Sequence, residues 1–238
     1  MKKSLFTGLI IGAALLVLSG CNTAITGELN EDSIIVEKDK ANELDVELNL
    51  GVGEITVQKG AKEWVEGNVK YNVKDLEPKV KYDLRRKKGD IVIEHKNLKK
   101  FRISEIKNEW DFKLTDKIPI NLSVNTGASM ANLDLQGLKI ENLDIETGVG
   151  DLTVDLRGDW KKSFETNIET GVGQTTVILP SKVGVKIKAE KGIGTINVVG
   201  FISKGNDVYV NEAYEDADVI LTVDAEVGVG EVTFKTDK

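Results

Sequence analysis

Six segments of the chain share one pattern of apolar and polar positions. They are Leu48 to Val57, Val124 to Leu135, Ile145 to Leu156, Ile168 to Leu179, Ala189 to Val199 and Ala225 to Phe234. In each, apolar and polar residues alternate, a glycine interrupts, and the alternation resumes. In the third copy Leu143, Ile145, Leu152, Val154 and Leu156 fall on one face, and Asp144, Glu146, Asp151, Thr153 and Asp155 on the other. Period-two alternation predicts a half-buried strand on each side of the glycine. Glycine inside such a pattern marks a bend, a bulge or a close backbone approach. The glycines that carry the pattern are Gly51 and Gly53, Gly127, Gly148 and Gly150, Gly171 and Gly173, Gly192 and Gly194, and Gly228 and Gly230. From Gly127 to Gly192 the leading glycines lie 21, 23 and 21 residues apart. A near-constant period points to stacked repeats, each burying against its neighbours an apolar face it cannot bury alone. The predicted fold is all-β: an elongated, right-handed, β-solenoid-like stack of glycine-bent strands.

The repeat is broken over 62–107. Strand-like runs there (VKYNV, VKYDL, DIVIEH) predict an antiparallel meander inserted after the first glycine bend. Asp159 to Phe164 has room for a short helical turn at most, and no longer segment beyond residue 21 shows capped helical periodicity. The polar stretch 22–32 carries no core pattern and reads as a tether.

The first residues set the compartment. Lys2 and Lys3 precede a largely apolar run of 14 residues from Leu5 to Leu18, followed by Leu18-Ser19-Gly20-Cys21. That is the layout of a secretory signal with small residues at its cleavage point. The ending resembles the lipobox of bacterial lipoproteins, whose cysteine takes up fatty acyl chains such as palmitate and becomes the new N-terminus. The apolar run is short for a membrane-spanning helix. The expected organisation is therefore a signal peptide over 1–20, a lipidated tether over 21–32, and one repetitive β domain over 33–238. Within that domain, 33–107 form an N-terminal part with the meander and 108–238 the repeats. The protein is expected outside the cytoplasm, anchored to the cell membrane by lipid on Cys21. Cys21 is the single cysteine, so no intramolecular disulfide can contribute and stability must come from burial and strand pairing.

Charge adds one feature. The net charge is −7, yet Lys70 to Lys107 holds 13 basic residues against 6 acidic ones. Such a block can contact anionic lipid or anionic wall polymer. Its charges also alternate with apolar residues, as on a solvated strand face. Nucleic acid is a poor partner for an acidic, exported protein.

Two segments carry a family resemblance. LNLGVGEITV with the following KEWVEGNVKYNV resembles the opening of the toast-rack family. The block NLSVNTGASMANLDLQGLKIENLDIETGVGDLTVDL is similar to that family's repetitive body, shared with the extracellular part of LiaF-like envelope-stress proteins. The resemblance spans about Asp45 to Phe234. It implies an all-β stack of parallel-leaning strands without catalytic residues, and a part in sensing or modulating envelope stress. LiaF-like proteins carry several N-terminal membrane helices where this chain has only a lipid anchor, so direct signalling across the membrane does not follow from it.

The chemistry that the motifs bring to mind does not assemble. The G-x-G pairs continue as strands, whereas a dinucleotide site needs a third glycine and a helix N-terminus. The position after each G-x-G holds Glu54, Asp151, Gln174, Thr195 and Glu231, with Met130 in the second copy, so no shared calcium ligand runs along the repeats. One histidine, His95, cannot make a His-pair zinc site, and it reads as an exposed or edge strand residue. Trp64, Trp110 and Trp160 read as core or edge covers. No metal, cofactor or catalytic residue is expected. The expected role is structural or recognitive, accessory to envelope stress response or to adhesion through envelope proteins or polymer. Two alternatives stay open. One is a polysaccharide-active enzyme using a carboxylate pair. The other is a chaperone-like binder of lipoproteins, which would need a large apolar cavity.

Overall fold

The structure is a computed structural model that describes residues 27–95 and 106–237. Among the described residues, thirteen strands join in one sheet. They are β1 (Asn30–Val36), β2 (Glu43–Lys59), β3 (Val65–Tyr71), β4 (Pro78–Arg85), β5 (Lys88–His95), β6 (Asn108–Leu114) and β7 (Ile120–Asp134), then β8 (Ile140–Asp155), β9 (Phe164–Leu179), β10 (Gly184–Val199), β11 (Ile202–Gly205), β12 (Val208–Val210) and β13 (Ile220–Thr236).

Each of the six repeats is one long strand of 15 to 17 residues that bends at its glycines without leaving the sheet. The six run parallel in the order β2-β7-β8-β9-β13-β10, with glycine levelled against glycine or its equivalent. The stack is not in chain order, because the sixth repeat lies between the fourth and the fifth.

The apolar rows explain the bend. Flanking the bend of β8, Leu143, Ile145 and Thr147 are buried before the glycines, then Leu152 and Val154 after them. The parity changes from odd to even across Gly148-Val149-Gly150. Both arms of the bent strand therefore turn their apolar side chains to the same contiguous core. Two threonines mark the inside of the corner: Thr170 and Thr175, on either side of the β9 bend, lie 2.9 Å apart and are buried. Every fully buried Leu, Ile or Val in these rows contributes roughly 1.5–3 kcal/mol relative to exposure.

The inserted segment is antiparallel, as its alternation predicts, but it is shared between the two arms of β2. The β4–β5 hairpin lies along the first arm, β5 pairing parallel with Glu43 to Asn49. The second arm takes β6, and β3 pairs antiparallel between β6 and β1. Two expectations need correction. The segment read as a tether to residue 32 already forms strand from Asn30, because β1 buries Ile34 and Val36 and pairs along its whole length with β3. His95 is buried, not exposed: it ends β5 under the edge of the Trp110 ring, 5.0 Å between centroids. Asp159 to Phe164, given room for a short helical turn at most, holds none and ends in the first residue of β9, and 3-10 turns lie at Lys74–Leu76 and Tyr214–Asp216. The three tryptophans are buried, as a core role requires.

Candidate functional site: the ridge of glycine bends

The two glycines of each bend do different work. The leading row, Gly127, Gly148, Gly171, Gly228 and Gly192, packs backbone on backbone. A Cβ on Gly171 would lie 2.4 Å from the Gly148 carbonyl oxygen, and its row-mates meet the same obstacle at 2.4–2.6 Å. Gly51 begins this row, its carbonyl oxygen facing Gly127. The second row, Gly53, Gly150, Gly173, Gly230 and Gly194, has φ between +126° and +150°, and a Cβ would approach the neighbouring carbonyl oxygen to 1.7–2.1 Å. In β7 the second position is Ser129, whose hydroxyl donates to Thr126 Oγ1 at 2.9 Å inside the corner. At Gly53 the neighbour is Asn108 of β6, whose side-chain amide donates to the Val52 carbonyl. That bond satisfies an acceptor left where β2 changes partner from β5 to β6.

Between the two glycines of each bend stands one residue that points outward. Val52, Ala128, Val149, Val172, Val229 and Ile193 are consecutive neighbours along the stack. At about 4.8 Å per strand they form a crest roughly 24 Å long. Val149, Val172, Val229 and Ile193 are exposed. Such a contiguous apolar row is uncommon on an exposed sheet and marks a surface for interaction. Beside it runs an acidic row: Glu146, Glu169, Glu226 and Glu190, all exposed, stand directly opposite one another on adjacent strands. Glu190 is offset by Lys188 at 2.6 Å; the like charges of the other three repel, and their field favours a cationic or neutral surface over an anionic one.

At the β2 end the crest opens into a groove of about 650 Å³, lined by Val52, Asn108, Ala128, Met130 and Val149 among others. Glu54 and Glu109 face it from paired positions on β2 and β6. Glu54 is exposed and Glu109 half-buried, so neither has the apolar enclosure that a general acid of a carboxylate pair requires. Among the described residues no group of three His, Cys, Asp or Glu is placed to hold a metal ion, and no helix is long and apolar enough to cross a membrane.

The other candidate residues lie apart from the crest. Cys21 and the signal segment lie outside the described residues, as do Lys96, Lys99, Lys100 and Arg102 of the basic block. Four of the block's nine described cations are matched by carboxylates. Lys79 and Lys81 meet Glu94, Arg85 meets Asp83 and Asp90, and Lys88 meets Glu43 and Asp45. His95 has its Nδ1 3.3 Å from the Leu76 carbonyl oxygen, and burial pulls its pKa below the ordinary 6.5. His95 Nε2, Trp110 Nε1 and Asn108 Oδ1 are buried without hydrogen-bond partners among the described residues. The leading and second glycines were visible in the repeat pattern, but the crest was not. Its signal was the aliphatic residue between the two glycines in each repeat, which alternation alone assigns to neither face.

Two family models match the chain. One, described as the N-terminal domain of toast_rack, matches residues 25–178, and the other, the C-terminal part of LiaF (cell wall-active antibiotics response), matches residues 130–234. A solved structure from Clostridium sporogenes, provisionally described as a cell adhesion protein, is 34% identical with a TM-score of 0.86, covering 88% of this chain and 100% of that one. A provisionally described adhesin from Bacteroides fragilis shares 12% identity, with a TM-score of 0.32 over 86% of this chain and 97% of that one. Another, from Parabacteroides distasonis, shares 12% with a TM-score of 0.27 over 88% and 97%. None of the curated proteins matches the chain.

Proposed function

The chain belongs to the toast-rack family, and from that premise we propose that it is an exported, lipid-anchored envelope protein that works by recognition and not by catalysis. The observation that carries this reading is the exposed aliphatic crest, built by the same repeat that builds the fold. A bend needs only its glycines. Val149, Val172, Val229 and Ile193 are not required to close it, yet they hold an apolar line to solvent over four neighbouring strands. The acidic row beside the crest supports a partner with a neutral or basic apolar surface. The basic block around β4 and β5 is the weaker contact for anionic wall polymer or lipid, because four of its nine described cations, Lys79, Lys81, Arg85 and Lys88, are engaged by carboxylates.

The family supports the setting. One matching model is described by a response to cell wall-active antibiotics, and the Clostridium sporogenes relative by cell adhesion. Both descriptions suit an accessory part in envelope stress or adhesion. The anchor is Cys21. Acyl chains contribute about 0.8 kcal/mol per buried methylene, so two or three hold a protein at a membrane where one does not.

Two measurements test the reading. Metabolic labelling with a palmitate analogue is expected to mark the wild type and not Cys21→Ala, which should leave the membrane fraction or keep its signal. Equal labelling of the two removes the anchor. A chain with Val172→Lys and Val229→Lys is expected to melt like the wild type while losing its photo-crosslinks to envelope components in whole cells. An unchanged crosslinking pattern removes the crest.

A further inference from the structure

The two ends of the stack are finished differently. At the β2 end both arms are covered, the first by β5 and the second by β6. At the β10 end only the first arm is. There β12 pairs with Lys186 to Lys188. Next to it the buried Asn211 stands in for a strand: its Oδ1 accepts from the Val185 backbone N–H at 2.9 Å, and its backbone N–H donates to the Val185 carbonyl at 3.2 Å. Along the second arm, from Thr195 to Val199, the one strand neighbour among the described residues is β13. The core is open at that point. Ile196 and Val198 occupy the inward positions level with Val232 and Phe234. Val232 and Phe234 are wholly buried, whereas Ile196 and Val198 are only partly so. Around them Ile193, Val199 and Ile202 are 74%, 61% and 52% exposed.

Edge strands invite pairing, and proteins blunt them with charge, proline, bulges or shortness. The other edges of this sheet do so. The β4 edge carries Pro78, Lys79, Lys81 and Arg85, and β1 carries Glu31 and Asp32. The β11 edge is four residues long and irregular in register. The second arm of β10 is the least protected: Gly192 to Val199 holds no charge and no proline, and the lysine at its start, Lys191, donates from Nζ to the Gly194 carbonyl oxygen at 2.8 Å and leaves Thr195 to Val199 unguarded.

We propose that this edge is closed by a second copy of the chain, two β10 arms pairing antiparallel about a two-fold axis near Asn197. Self-pairing suits the sequence. With Asn197 opposite its own copy, Ile196 faces the copy's Val198 and Thr195 its Val199, so the two open cores seal each other. No charge is brought against a like charge. Heterologous stacking, the alternative that would grow filaments, needs an open arm at the opposite end, and there β5 and β6 already occupy both arms of β2. Pairing therefore stops at two. The inference stands apart from lipidation and from the crest's partner.

The test uses the full chain in membranes. Asn197→Cys is expected to give a disulfide-linked dimer under mild oxidation, and Lys81→Cys on the β4 edge none beyond the wild-type background. In detergent the wild type should sediment as a dimer. Asn197→Lys, at an outward position, sets two ammonium groups against each other and should weaken that dimer about twofold to fivefold with its melting temperature kept. Thr195→Lys serves as the second variant should Asn197→Lys fail to fold. A wild type that is monomeric at every concentration overturns the proposal. So does a dimer that neither lysine weakens, or one in which Asn197→Cys does not crosslink.

Discussion

Replacing Gly173 by alanine separates the two demands that the bend makes on its second glycine. Gly173 has φ +150°, and an added Cβ would lie 1.7 Å from the Gly150 carbonyl oxygen, where ordinary contact begins at 3.4 Å. The backbone conformation alone costs an L-residue about 1–3 kcal/mol. Relieving the clash requires β8 and β9 to part by more than an ångström at the bend. That breaks two or three ladder hydrogen bonds, each contributing about 0.5–1.5 kcal/mol net. The expected loss is therefore roughly 3–6 kcal/mol, a large fraction of the 5–15 kcal/mol that is typical of a whole domain. Gly60 isolates the first component: its φ is +133°, yet the nearest atom to an added Cβ is Lys113 Cδ at 3.9 Å. Gly60→Ala should cost only the conformational part, about 1–3 kcal/mol. Asp151, exposed beside the neighbouring bend, is the reference for side-chain chemistry, and Asp151→Asn should move stability by no more than about 0.5 kcal/mol. Urea denaturation followed by circular dichroism measures all three. If Gly173→Ala is no worse than Gly60→Ala, close backbone approach is not what the row requires. If Asp151→Asn is the most damaging, the repeat is a binding device first.

Two further outcomes follow from buried polar groups. Thr175→Val leaves the Thr170 hydroxyl without its corner partner and should cost about 1–3 kcal/mol, whereas Thr170→Val with Thr175→Val should return close to wild type; a double-mutant cycle that finds the changes additive contradicts the pair. His95 is neutral in the fold because burial lowers its pKa, so the unfolded chain binds a proton more readily. Stability should be complete above the unfolded value near 6.5 and fall as pH drops from there towards the lowered folded value. Denaturation midpoints between pH 7.5 and 5, roughly the span over which histidine titrates, should show this slope in the wild type and lose it in His95→Leu. An equal slope in both assigns the pH dependence elsewhere.

Much of this architecture is written locally. Alternation names the inward residues of each arm, as Leu143, Ile145, Leu152 and Val154 show, because one buried face per strand imposes a period of two. The recurring glycines announce the bends, since few other residues allow backbones to stack so closely or accept the φ of the second row. The wish of each repeat for a neighbour is also local. Which neighbour it takes is not. Parallel repeats present nearly interchangeable faces, so nothing within the sixth one says that β13 will enter between β9 and β10. That place is fixed by the connection through β11 and β12, which caps the first arm of β10 and leaves β13 only its inner side. The same holds for His95, whose polar identity suggests an edge until β4, β6 and the turn at Leu76 enclose it. It holds too for Asn30 to Asp32, which gain strand structure only because β3 lies beside them. The loss of charge across Gly192 to Val199 was legible from the start, but its meaning, an arm with no strand beyond it among the described residues, belongs to the tertiary structure. Side-chain patterns act within a strand, whereas stacking order is decided by loops and by which edges remain to be covered.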